Sequence, residues 1–261
     1  MKIDGKTEIY GILGDPIKQV ATPELMNSIY RKNGLNKVLI PFHVNQNSLE
    51  STITGLKKIQ NFKGAVITMP HKAEIVKYLD EASDEVKQIG ACNIIKRTPD
   101  GIIKGSLLDG KGFIQGLKNH NHIIESKSVF LLGCGGAASA IAFALCENKI
   151  KSLTIYNRTK TKAIKLIDKL KSIYSDIEIS FSNKVPKGVD ILINGTSVGM
   201  KENDKPLLSL SDLDSKTLVT EIIISPEMTC TLKKGIEKGC QIHKGIAMLE
   251  GQIRLMNEFM D

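Results

Sequence analysis

An α/β fold is what this sequence predicts, and three observations carry the prediction. Short apolar runs alternate with segments of helical period along the chain, the pattern of strands covered by helices. One run, Val129-Phe-Leu-Leu132, is unbroken by polar residues, as a strand buried on both faces of a parallel sheet requires. It leads directly into Gly133-Cys-Gly135-Gly-Ala-Ala138 and the small-residue helix Ser139–Cys146, so strand, tight turn and helix follow one another. The length, 261 residues, suits one large or two medium domains.

In chain order, the first strand is Ile9-Tyr-Gly-Ile-Leu13, closed by the turn Gly14-Asp-Pro16. Thr22 and Pro23 read as the N-cap and first residue of a helix to about Arg31, because a hydroxyl satisfies a free N–H there and proline has none to satisfy. Val38–Phe42 is a second strand, and Leu49, Ile53, Leu56 and Ile59 share one face of a helix. Gly64–Thr68 is a strand that stops at Met69-Pro-His-Lys72, with a helix expected from about Ala73. A short helix over 84–90 and a strand over 91–96 precede the turn Thr98-Pro-Asp-Gly101 and the apolar pair Ile102-Ile103. Lys111–Leu117 is helical, and Asn119–Lys127 is a polar linker.

Beyond the central strand lie strand Leu153–Tyr156, helix Lys160–Ser172, a strand near Ile177–Ser180 and strand Val189–Asn194. The loop Gly195–Met200, strand Leu218–Ile224 and helix Thr229–Lys238 follow. The last helix, Ala247–Met260, has no strand left to precede it and is placed back on the N-terminal half.

The glycine-rich turn points to a dinucleotide. Gly133 permits the tight turn, Gly135 lets backbone approach a pyrophosphate, and Ala138 seats the helix against the sheet. The helix start offers free N–H groups and the positive end of its dipole to phosphate. An NAD site wants an Asp or Glu on the ribose roughly 20 residues further on. This chain has Asn157-Arg158-Thr159 at the end of the next strand, with Lys160 and Lys162 behind. A guanidinium receives a 2′-phosphate through paired, charge-assisted hydrogen bonds, so NADP is favoured. The chain holds only four Arg, which makes one at this turn less incidental than another Lys; the alternative is a solvated helix start.

The net charge of +8 is spread along every helix rather than clustered with aromatics, so no nucleic-acid partner is expected and the excess reads as solvated faces. Five Cys lie scattered without Cys-x-x-Cys spacing, arguing against metal or disulfide use and for a reducing cytoplasm. Met-Lys-Ile-Asp-Gly-Lys6 has no apolar signal region, and no run nears the ~18 apolar residues of a membrane span. A cytoplasmic protein with no membrane partner is expected.

Eight pieces, in order, resemble the shikimate dehydrogenase family over nearly the whole chain. They are Gly14-Asp-Pro-Ile17 with Thr22-Pro23, Thr68-Met-Pro-His-Lys72, Gly90-Ala-Cys-Asn93, Asp109-Gly-Lys-Gly-Phe113, Gly133-Cys-Gly-Gly-Ala-Ala138, Asn157-Arg-Thr159, Asn194-Gly-Thr-Ser-Val-Gly-Met200 and Met248-Leu-x-x-Gln252. The resemblance implies two α/β domains: a substrate domain over 1–106 plus a C-terminal helix, 240–261, and a Rossmann-type NADP-binding domain over 107–239. It implies NADP-linked, reversible reduction of 3-dehydroshikimate to shikimate, in a monomer or homodimer. Lys72 and Asp109 fall on the family's catalytic pair, and the chemistry asks for one: hydride arriving at a ketone leaves alkoxide charge that needs a cation and a proton donor. The plain alternatives are an exposed helix-start lysine and a helix cap. Thr22, Thr68, Asn93 and Gln252 fall on or beside substrate-binding positions, although a buried Asn or helical Gln also suits a structural role. Gly133, Gly135, Gly136, Ala137, Asn157, Arg158, Thr159, Lys162, Thr196 and Met248 fall on the cofactor side. His71, with no acid partner in sequence reach, reads as a cap or packing residue.

Four positions depart from the family pattern. Val20 stands at a usual Ser, Val66 at an Asn, Leu107 at an Asn, and Ile224 at a Tyr. A carboxylate stripped of donors costs several kcal/mol to bury. Either Lys18 or Gln19 takes over the substrate carboxylate, or the substrate is quinate, an aminoshikimate or another cyclic alcohol. A non-catalytic NADP-binding sensor is the remaining alternative, and the retention of both Lys72 and Asp109 argues against it.

Overall fold

A computed structural model describes residues 3–261 and divides into two compact units, Met1–Leu108 with Ile253–Asp261 and Asp109–Gln252. The first unit contains β1 (Glu8–Gly14), α1 (Thr22–Lys32), β2 (Lys37–His43), α2 (Leu49–Lys58), β3 (Phe62–Ile67), β4 (Glu81–Ala82), α3 (Asp84–Ile89), β5 (Ile94–Arg97) and β6 (Ile103–Ser106). The strands form one mixed sheet in the order β2-β1-β3-β5-β6-β4. β1 pairs in parallel with β2 and β3, whereas β5 runs antiparallel to both β3 and β6. The β5–β6 reversal is the expected Thr98–Gly101 turn, closed by the Gly101 N–H on the Thr98 carbonyl at 2.9 Å.

Helical spacing decides what α1 and α2 hide. α1 buries Met26 and Tyr30, and α2 buries Leu49, Ile53 and Leu56. Ile59, expected on that face, is instead extended at the end of α2 and 44% exposed. The N-cap of α1 is Ala21 rather than Thr22: the Ala21 carbonyl already accepts the Leu25 N–H at 3.3 Å, which moves the helix start back one residue and puts buried Thr22 inside it. The helix expected from Ala73 is a single 3₁₀ stretch, Glu74–Tyr78. It carries adjacent β-branched Ile75 and Val76, and the chain turns into β4 after Asp80.

The second unit contains α4 (Asp109–Asn119), β7 (Ser128–Leu132), α5 (Gly136–Glu147), β8 (Ser152–Tyr156), α6 (Lys160–Lys171), β9 (Glu178–Phe181), β10 (Ile191–Asn194), β11 (Leu218–Glu221), α7 (Cys230–Glu237) and β12 (Gln241–His243). Its sheet runs β12-β11-β10-β7-β8-β9, and every pairing is parallel. Counted in chain order from the other edge this is 3-2-1-4-5-6, the doubly wound order, with the switch point between β7 and β10. Phe130, Leu132, Leu192, Val219 and Leu232 fill the core under one face of this sheet.

β12 corrects the expectation that no strand precedes the last helix; three residues, Gln-Ile-His, are too short for any alternation to register. The last helix, α8 (Ile246–Met260), crosses the unit boundary after Gln252. The strand expected over Leu218–Ile224 stops at Glu221, because the Glu221 carboxylate takes the next two backbone N–H groups, of Ile222 and Ile223, at 2.8 and 3.1 Å. No helix among the described residues is long and apolar enough to cross a membrane.

Candidate active site

The glycine-rich turn sits at the C-terminal end of β7, beside the switch point. Gly133 has φ +109° and its N–H donates to the Tyr156 carbonyl at 2.7 Å, tying the turn to the end of β8. A Cβ on Gly133 would lie 2.9 Å from both the Gly195 carbonyl oxygen and the Thr196 methyl, so only glycine fits here. Gly135 is the exposed N-cap of α5, and Gly136 and Ala137 begin the helix with half-exposed backbone. Those features are what a pyrophosphate needs: N–H groups facing outward, a helix dipole behind them and no side chain between.

At the ribose end, the Asn157 amide donates to the Thr159 carbonyl at 3.0 Å, which folds the corner and leads into α6. Arg158 and Thr159 are exposed, and Lys160 sits over the Phe181 ring at 5.3 Å. Burial pushes the Cys134 thiol up to about 11 against an opposing pull from the Lys162 ammonium, so the Lys162 charge is felt at the glycine turn.

The loop after β10 is folded around one side chain. The Asn194 amide nitrogen donates to the Val198 carbonyl at 2.9 Å and to Glu221 at 2.8 Å. Its oxygen accepts the Thr196 N–H at 3.2 Å and the Thr196 hydroxyl at 2.7 Å. The Thr196 hydroxyl also accepts from the Val198 N–H at 3.1 Å, so it is engaged inside the loop. Glu221 and Thr229 were not singled out from the sequence. An acid inside the apolar run Leu218–Ile224 was the available signal, since Glu is almost never fully buried without partners.

Asp109, the first residue of α4, meets Gln252, the last unit-two residue of α8. The buried Asp109 carboxylate accepts the Gln252 amide N–H at 3.1 Å. Glycine makes this approach possible: a Cβ on Gly112 would stand 2.0 Å from Gln252 Cγ, and one on Gly251 would stand 2.3 Å from the Gly112 carbonyl. Met248, buried, lies in the first turns of the same helix.

In the first unit, the segment after β3 is pinned at several points. The Thr68 N–H donates to Leu13 at 2.9 Å, and its carbonyl accepts from the His71 N–H at 2.9 Å. The His71 ring is fully buried and donates through Nε2 to the Val44 carbonyl at 2.7 Å, a packing role. Half-buried Lys72 accepts the Cys92 N–H on its carbonyl at 2.7 Å, which locks its backbone to the strand entrance at Asn93. Asn93 is buried, and its side-chain oxygen accepts the Leu108 N–H at 2.7 Å.

Similarity to known proteins runs through both units. Residues 12–95 match the shikimate dehydrogenase substrate binding domain, and residues 117–224 match the shikimate / quinate 5-dehydrogenase family. The shikimate dehydrogenase (NADP(+)) of Nitrosopumilus maritimus is 38% identical over 95% of this chain and 90% of its own length. This chain belongs to the shikimate dehydrogenase family. A shikimate dehydrogenase solved in complex with NADP+ superposes with a TM-score of 0.91, at 31% identity over 99% of this chain and 91% of that one. A ligand-free 5-ketofructose reductase of Gluconobacter superposes at 0.85, with 29% identity over 98% and 94%.

Within this family member, the four departing positions differ in setting. Val66, on β3, and Leu107 are 5% and 2% exposed, so neither position offers a polar group in a place that water reaches. Val20 and Ile224 are half-buried, beside α1 and beyond β11 respectively.

One further group stands apart. The His120 and His122 rings stand edge-on to the buried His243 ring at 5.0 and 5.1 Å. Burial pushes His243 down to about 4, and the two neighbouring imidazoles push the same way.

Proposed function

We propose that the chain is an NADP(H)-dependent dehydrogenase that reversibly reduces 3-dehydroshikimate to shikimate, acting in the cytoplasm as a monomer or homodimer on a small molecule. Full-length relatedness to NADP(+)-dependent shikimate dehydrogenases is the observation that carries this reading. The first unit is the substrate domain, and the second holds the dinucleotide. Gly135, Gly136 and Ala137 offer the pyrophosphate their backbone N–H groups, while Gly133, whose own N–H is spent on the Tyr156 carbonyl, lets the turn close beside it. Asn157, Arg158, Thr159 and Lys162 take the 2′-phosphate end, where fixed positive charge favours NADP over NAD. Thr196 and Met248 line the nicotinamide side, Thr196 through its loop backbone because its hydroxyl is already engaged.

Bound NADPH supplies the hydride. The Lys72 ammonium stabilises the developing alkoxide and delivers the proton, the Asp109 carboxylate favours the charged form of that ammonium, and water returns the proton to the amine after product leaves. The Gln252 amide fixes the Asp109 carboxylate and, with Thr22, Thr68 and Asn93, binds substrate hydroxyls. The Asn93 side-chain oxygen accepts the Leu108 N–H, which fixes the amide plane at that position.

A second reading, a neutral polyhydroxy ketone as substrate, is favoured by apolar Val20, Val66, Leu107 and Ile224 together with the likeness to a 5-ketofructose reductase. Steady-state rates against shikimate, quinate, an aminoshikimate and 5-ketofructose decide between them. The first reading expects shikimate to have the highest kcat/KM, limited by a raised KM that Val20→Ser with Ile224→Tyr lowers. A 5-ketofructose value tenfold above that for shikimate would replace it with the second.

A further inference from the structure

Glu221 closes β11 with its side chain fully buried, and every group that reaches its carboxylate is a donor. One oxygen accepts from Asn194 and Thr229, each at 2.8 Å; the other accepts the Ile222 and Ile223 N–H groups at 2.8 and 3.1 Å. A buried acid with neutral partners costs the fold free energy that an apolar residue would not, which marks it as a candidate for function. Its partners say which function. Asn194 is its register neighbour on β10 and is the side chain around which the 195–200 loop is folded.

The carboxylate decides which way the Asn194 amide faces. Because the NH₂ end must point at an acceptor on Glu221, the carbonyl end must point at Thr196 and receive its N–H and hydroxyl. A proton on Glu221 would land among four donors, so one of these bonds would have to be given up. The loop so held forms the wall of the glycine turn, with Gly195 and Thr196 within 2.9 Å of where a Gly133 Cβ would stand.

We propose that Glu221 is a positioning residue for the dinucleotide: its ionised carboxylate sets the Asn194 amide and through it the 195–200 loop, so that cofactor affinity falls when the carboxyl takes up a proton. The proposal rests on the NADP reading of the second unit. Burial pushes the Glu221 carboxyl up to about 7, against the downward pull of hydrogen bonds from Asn194, Thr229, Ile223 and Ile222. That places the transition where a modest pH change reads it. Among the described residues, the Cys230 thiol on α7 feels both Glu221 and Asp204, and the Asp204 carboxylate accepts the Gly199 and Lys201 N–H groups at 2.7 and 3.1 Å.

The test is calorimetric titration of NADP+ into the full-length protein between pH 6 and pH 8. Wild-type affinity should fall about fivefold or more from pH 8 to pH 6, because binding and deprotonation are reciprocally linked. Glu221→Gln should bind about tenfold more weakly at pH 8 and lose that pH dependence. Glu221→Asp, which keeps the charge, should recover part of the affinity and all of the dependence. The 2′-phosphate titrates near pH ~6 in every case, so the difference between profiles is the readout. Should Glu221→Gln fail to fold, Thr229→Val serves: removing one donor should move the wild-type profile to higher pH. A Glu221→Gln protein that matches the wild-type affinity and profile, or an unmoved profile in Thr229→Val, overturns the proposal. A wild-type protein that binds no NADP+ at any pH removes the NADP reading and the proposal with it.

Discussion

The second unit pairs all its strands in parallel, whereas the first mixes a parallel core with an antiparallel hairpin, and the two place their candidate groups differently. Around β7 the second unit's candidate groups are mainly backbone: a positive-φ glycine, an uncapped helix start and a loop drawn in by Asn194 and Glu221. The first unit's candidate groups are side chains, Lys72 and Asn93, with backbone hydrogen bonds at 2.7 to 3.0 Å on the segments around them. Backbone recognition suits a cofactor shared by many enzymes, while side-chain recognition suits one substrate. The exception is instructive. Asp109 and Gln252 are side chains in the second unit, and they meet only because glycines let α4 and α8 approach.

If the division holds, the largest effect comes from the first unit. Lys72→Ala should lower kcat by ~10² or more while NADPH affinity, measured by fluorescence titration, stays within twofold. Asp109→Asn should behave alike, and the double variant should be far less than additive. Near-normal turnover in Lys72→Ala would move the proton-transfer role elsewhere and break the comparison.

The opposite signature belongs to the ribose corner. NADP(H) should bind at least ~10-fold more tightly than NAD(H), and Arg158→Ala should erase most of that difference at unchanged kcat under saturating cofactor. Equal affinities for the two cofactors in the wild-type protein would remove Arg158 from the site. The exception is sharpened by Gly112→Ala, which must displace Gln252 and should lower kcat/KM for substrate roughly fivefold with little change in cofactor affinity. An unaffected kcat/KM would show that the Asp109–Gln252 bond is not needed.

The smallest effect concerns stability alone. His243 lies near 4 in the folded protein against an ordinary 6.5, so the unfolded chain binds the proton more readily between those values. Its contribution is present above pH ~6.5 and is lost as pH falls toward ~4, on the order of 1 kcal/mol once screening by water is allowed for. Urea unfolding at pH 7 and pH 4.5 should show His243→Phe losing less stability on acidification than the wild type. Equal losses would mean that the three-imidazole cluster is not what acid attacks.

Much of this was legible in the sequence because each signal is local. Gly133-Cys-Gly-Gly between an apolar strand and a small-residue helix leaves few alternatives, and the eight family pieces name the candidate site residues in order. What escaped was set by tertiary contact. β12 is three residues whose pairing with β11 alone makes them a strand, and α1 starts one residue early because Ala21, not Thr22, is its N-cap. The end of β11 depended on where the Glu221 carboxylate turned, which no periodicity records. The Asp109–Gln252 bond joins residues 143 positions apart, and only the packing of two glycine-bearing helices brings them together.

NADP-linked shikimate dehydrogenase activity is read most directly from initial rates of shikimate oxidation by the full-length protein, with NADP+ and with NAD+. Turnover with NADP+ should exceed the NAD+ rate by ~10-fold at limiting cofactor and disappear in Lys72→Ala. No oxidation of shikimate at millimolar concentration, alongside tight NADP+ binding, would rule shikimate out as the substrate.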